Sequence, residues 1–164
     1  MKAILKIKDK EIEVEVSEET IEHLTKKKGN PFARVGIENS FYKIDAYGYA
    51  SPCVDCGLHS DDLLFKTANY CTDSDLLQQQ AWRETLNRLL WRWQYENDGF
   101  IDWENVEDNK FIIEYDFISD EFVAAWCHGS VKENTVYFSS DGKAYQAIEE
   151  VVKPFMAEHP DFVW

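Results

Sequence analysis

Two thiols three positions apart, Cys53 and Cys56, with His59 close behind, form a C-x-x-C motif with metal-binding chemistry. Thiolate and imidazole match the borderline softness of zinc, and Cys71 and Cys127, the latter beside His128, would complete a tetrahedral set. The candidate ligands are therefore Cys53, Cys56, Cys71 and Cys127. Against zinc stands the lack of a second close pair. Cys71 also falls where a strand would turn a small apolar side chain inward, and buried free cysteine is common. Buried or loop thiols are the competing reading. A redox role is weaker still, because this C-x-x-C does not open a helix after a strand.

Other catalytic patterns are missing from the sequence. The four histidines form no H-E-x-x-H, no serine sits in G-x-S-x-G, and seven glycines build no phosphate-cradling loop. Adjacent carboxylates at Asp61-Asp62 and Glu107-Asp108 could hold a divalent ion, although solvated surface charge is the commoner origin of such pairs. No enzyme is expected, and no cofactor other than the zinc weighed above.

The charge pattern says more about partners. Of the 164 residues, 31 are acidic and 17 are lysine or arginine, for a net charge of −14. Between Arg92 and Lys132 ten acids face one base, Lys110. Trp93, Tyr95, Phe100, Trp103, Phe111, Tyr115 and Phe117 are interleaved with them, so this is a folded acidic surface rather than a polyacidic tail. Such a surface repels nucleic acid and attracts basic protein grooves. Part of it has a plainer explanation: Glu114 and Asp116 suit the wet face of a half-buried strand. That explanation leaves the near-absence of lysine unaccounted for, since mixed signs keep a protein equally soluble. The expected contact residues are Asp98, Asp102, Glu104, Glu107 and Asp108 in a loop, supported by Glu114 and Asp116 on a strand. No apolar run reaches the roughly 20 residues that span a bilayer, and the N-terminus lacks the apolar stretch of a secretory signal. A cytosolic setting follows.

These residues need elements to hold them. Alternation over residues 2–16 predicts a hairpin turning at Asp9-Lys10, with Ile7 opposite Ile12 and Leu5 opposite Val14. A helix capped at Ser17 and stopped by Gly29-Asn30-Pro31 would complete a ββα unit over residues 1–30. Residues 31–164 read as one motif used twice. The first pass is a hairpin over 41–51 turning at Tyr47-Gly48, a loop, a strand at Asn69-Tyr70-Cys71 and a helix from about Asp73 to Tyr95. The second is a strand at Lys110–Asp116, a turn at Ser119-Asp120, a strand at Glu121–Cys127, a strand at 135–138 and a helix capped near Ser139 that stops before Pro154. Asn69–Asp73 aligns with Val136–Ser140 at an offset of 67 residues. The expected fold is α+β: a ββα unit, then two ββ-loop-βα units forming an antiparallel sheet with helices on one face. The apolar tail through Phe162-Val163-Trp164 should dock on the body.

The segments Phe41-Tyr42-Lys43-Ile44-Asp45, Asn69-Tyr70-Cys71-Thr72, Glu84–Trp91 and Val136-Tyr137-Phe138-Ser139-Ser140, with the ending Ala147–Glu150 through Trp164, resemble small acidic accessory proteins of phages and prophages of Gram-positive bacteria. The resemblance covers residues 31–164 and rests on general texture, without a diagnostic motif. It implies a setting, the cytoplasm of a bacterial host, and carries no catalytic residues. In that setting an acidic protein without catalytic motifs is expected to be an anti-CRISPR-like inhibitor that occupies the basic nucleic-acid groove of a host nuclease such as Cas9, with acids standing in for phosphates. Two other expectations remain open: an accessory protein that binds a replication or host factor, and a zinc-stabilised interaction module.

Overall fold

Alternating apolar and charged residues pair Lys2–Ile7 (β1) with Lys10–Glu15 (β2) as an antiparallel hairpin. This is a computed structural model, which describes residues 2–7, 10–15, 29–99, 101–105, 109–127 and 135–164. Leu5 pairs with Ile12 and Ala3 with Val14, so the register is shifted by two from the expected one. A two-residue shift returns every residue to its own face, and hydrophobic alternation therefore cannot tell the two registers apart. Opposite charges still share rungs, at Lys6 with Glu11 and Lys2 with Glu15. The helix expected after Ser17 lies outside the described residues.

Ser40–Ile44 (β3) and Ala50–Val54 (β4) form the next hairpin. Its turn is organised by Asp45, whose carboxylate accepts from Tyr47 N, Tyr49 N and Ser51 Oγ, while Gly48 takes a φ of 85°. A helix at His59–Lys66 (α1) occupies what the sequence suggested was loop. The expected strand at residues 69–71 shrinks to one rung: Tyr42 and Cys71 exchange both backbone hydrogen bonds, at 2.6 and 3.0 Å. Asp73 then caps the long helix Ser74–Asn97 (α2) by accepting from Leu76 N. Gly99, with a φ of 80°, ends it by donating to the Gln94 carbonyl.

The second hairpin of residues 31–164 pairs Lys110–Asp116 (β5) with Glu121–Cys127 (β6), the expected bounds. Here too the third strand is one rung, Phe111 with Phe138, and a cap follows two residues later at Ser140, which accepts from Lys143 N. The helix Asp141–Ala147 (α3) does not stop before Pro154. It continues through a π turn at Ile148–Val152 into Lys153–Glu158 (α4), with the proline in the first turn of α4. Proline lacks an N–H and crowds the carbonyl four residues back, and the wider π turn places it where neither defect matters.

The molecule is α+β, and its described strands pair as three separate two-stranded antiparallel ladders rather than one sheet. The core lies where α2 meets the second hairpin and the last helix. Leu86, Leu90 and Trp93 pack there with Val136, Phe138, Ala144, Ala147, Val152, Phe155 and Phe162. The tail docks as expected. Phe162 is buried, Trp164 sets its ring edge-on to Phe122 at 4.9 Å, and Gln79 clamps the backbone through Asp161 O and Val163 N.

Candidate partner-binding surface

Among the expected contact acids, Asp98, Asp102 and Asp116 are tied to nearby donors. At the end of α2, the Asp98 carboxylate accepts from Ser139 N at 2.6 Å and from Ser139 Oγ, which fastens the loop to the start of α3. Asp102 accepts from Glu104 N and Asn105 N, the geometry of a short side chain holding its own turn. Asp116 accepts from Ile118 N at 2.9 Å and Ser119 Oγ at 2.9 Å. The Ile118 amide, helped by the Ser119 hydroxyl, holds the Asp116 carboxyl below the usual carboxylate range, so it stays charged. Glu104 is exposed, Glu114 is exposed opposite Val123, and Glu107 and Asp108 lie outside the described residues.

Lys110, the one base of the acidic run, is 7% exposed. Its Nζ donates to the Asn105 carbonyl at 3.0 Å and lies 5.4 Å from the centre of the Trp103 ring, which itself stands edge-on to Tyr137. The ammonium thus serves the loop from beneath, stabilised by an acceptor and a π face. From Glu96 to Glu121 the described surface presents acids and no exposed lysine or arginine.

The four cysteines are distributed over the fold. Cys53 is on β4, Cys56 is exposed in the following loop, Cys71 is buried at the end of its single rung, and Cys127 ends β6 in the second hairpin. Cys71 Sγ sits 3.3 Å from the Asp73 carbonyl and 3.4 Å from Asp73 N, beside the α2 cap. Among the described residues no group of three or more His, Cys, Asp or Glu could hold a metal ion.

Within the C-x-x-C loop the sequence reading overlooked Asp55, which is 0% exposed. Arg34 grips it from Nε at 2.9 Å and Nη2 at 3.3 Å, Tyr70 donates its hydroxyl at 2.9 Å, and Gly57 N donates at 2.9 Å. The Arg34 contact, with the Gly57 amide next, lowers the Asp55 carboxyl to about 2. Arg34 also pairs with Asp62, while Asp61 is buried and accepts from Cys56 N and Leu58 N. Asp61 and Asp62 are therefore both engaged by neighbouring donors, Asp61 by backbone amides and Asp62 by Arg34. They are part of the scaffold that shapes the loop. The available signal was an acid between two cysteines in an apolar setting, with its basic partner 21 residues upstream.

Comparison with protein-family models, curated proteins and solved structures found no match. No helix among the described residues is long and apolar enough to cross a membrane.

Proposed function

We propose that this protein is a binding protein rather than an enzyme, one that inhibits a basic nucleic-acid-binding partner by lining its groove with carboxylates. A phage-encoded inhibitor of a host defence nuclease, with Cas9 as the candidate target, is the form that fits the resemblance. One observation carries the reading: the surface from Glu96 to Glu121 is acidic, and its single base is turned inward under Trp103. A one-signed face costs self-repulsion, and a cationic partner would repay that cost. In the same proposal the two halves are one ββ-loop-βα unit used twice, each with a single-rung third strand and a cap two residues later.

The test is DNA cleavage by Cas9, and its loading with guide RNA or DNA, at low and high salt with increasing inhibitor. Inhibition that weakens steeply with salt supports the reading. Unchanged cleavage and loading at low salt would end it. A second reading has its own support. Asp98, Asp102 and Asp116 all serve local donors, which suits an accessory protein whose acids are structural and solubilising and whose partner is a replication or host factor. Pull-down from bacterial lysate followed by mass spectrometry separates the two.

A further inference from the structure

The turn between β5 and β6 exposes two large apolar side chains, Phe117 at 84% and Ile118 at 97%. They are adjacent, and the charged residues of the turn and its first rung, Asp116, Asp120 and Glu121, are all negative. Asp116 and Glu121 face each other across that rung, a like-charge pairing that destabilises a ladder. Two costs, exposed apolar area and opposed like charges, are therefore concentrated on six residues.

This tip is also held in shape. Asp116 fixes Ile118 N and Ser119 Oγ, its carbonyl accepts from Asp120 N at 2.8 Å, and Tyr115 donates its hydroxyl to Asp120. Asp120 takes a φ of 61°, the left-handed conformation that an aspartate tolerates in a turn. The Phe117 ring is edge-on to Tyr115 at 5.1 Å, Tyr115 meets Phe122 at 4.9 Å, and Phe122 meets Trp164. An aromatic chain thus runs from the core to the tip, and little ordering entropy remains to be lost on binding.

We propose that this tip anchors the partner by imitating a nucleotide, with the Phe117 ring and Ile118 entering an apolar pocket where a base would stack and Asp116, Asp120 and Glu121 meeting the cations that would bind phosphate. Proteins that hold single-stranded nucleic acid combine these two features, a basic track and aromatic platforms beside it. The negative rim disfavours an anionic bilayer, the other surface that takes exposed apolar residues. The inference rests on the proposed function and locates its apolar contribution, which carboxylates alone cannot supply.

The experiment measures binding of the full chain to Cas9 apoprotein, at low salt and at 1 M salt, for the wild type, F117S/I118S and E121Q. Because both residues of the double variant are exposed, its urea midpoint and circular dichroism should match the wild type. A Kd weakened at least ~30-fold at both salt concentrations supports the anchor, as expected for two apolar hot spots. E121Q should lose only about threefold, and only at low salt. Wild-type binding with F117S/I118S within threefold of it overturns the anchor and leaves the proposed function standing. A wild type that does not bind at low salt overturns both. Wild-type binding to phosphatidylcholine–phosphatidylglycerol vesicles that F117S/I118S abolishes overturns the nucleotide mimicry in favour of a membrane contact.

Discussion

The two halves of the chain use the same scheme and fill it with different chemistry. In each, a hairpin takes one further rung on its first strand, and a capped helix starts two residues on. Beneath the first hairpin lie Phe41 stacked on Tyr70 at 3.8 Å and a charged cluster of Arg34, Asp55 and Asp62. Beneath the second lies an aromatic and aliphatic core shared with α2 and the tail. The first half thus depends on directional, charge-assisted contacts, and the second on burial that scales with area. Equivalent positions should therefore respond differently to equivalent substitutions.

The sharpest comparison is Phe138 with Cys71, both 0% exposed and both supplying the extra rung. Phe138→Ala should cost about 3–5 kcal/mol in urea unfolding, and Cys71→Ala about 1 kcal/mol. Similar losses at the two positions would break the contrast between the halves. Next in size is Asp55→Asn, which keeps the shape of the side chain and removes the charge facing Arg34. Melting temperature should fall by roughly 5–10 °C, with faster amide exchange at Cys56, Gly57 and Leu58 than anywhere in α3.

The same carboxylate gives a pH test with a definite sign. Its folded pKa of about 2 lies below the unfolded value, so its contribution is present above about pH 4 and is lost as pH falls toward 2. Loosening on acidification should begin in the first half, and Asp55→Asn should flatten that limb of the stability curve. The smallest matched pair is at the caps, where Asp73→Ala and Ser140→Ala should each cost about 1 kcal/mol. Equal losses there would show that the shared scheme survives its different fillings. Trp82 offers a final control. Its indole N–H is buried without a partner among the described residues, so Trp82→Phe should shift stability by under about 1 kcal/mol despite the lost ring contact with His159.

Elements whose cause is local were legible. Tyr47-Gly48 and Ser119-Asp120 turn their hairpins, Glu114 and Asp116 alternate with apolar residues in β5, and Asn97-Asp98-Gly99 stops α2. Helix α1 escaped because its apolar residues, Leu63, Leu64 and Phe65, are consecutive rather than helically spaced. What holds the helix is Asp61 reaching back to Cys56 N and Leu58 N, with Phe65 edge-on to Tyr70. Pro154 misled for the opposite reason, since a strong local stop signal is overridden when the rest of the helix buries Ile148, Val152 and Phe155. In the candidate surface, the identities of the acids were plain and their employment was not.

What the sequence determined alone is therefore the sign and density of charge from Glu96 to Glu121, the hairpin of residues 110–127, a hairpin at 41–51 whose second strand runs on to Val54, and the approximate extent of α2. Composition and short-range periodicity suffice for these, because each depends on neighbours a few residues away. Tertiary structure alone decided that the single lysine of the acidic run is buried, that Asp55 is locked against Arg34, and that Phe117 and Ile118 are left standing among carboxylates. Burial and pairing of a charge are properties of its surroundings in space. For Asp55 those surroundings come from Arg34, 21 residues upstream, and Tyr70, 15 residues downstream.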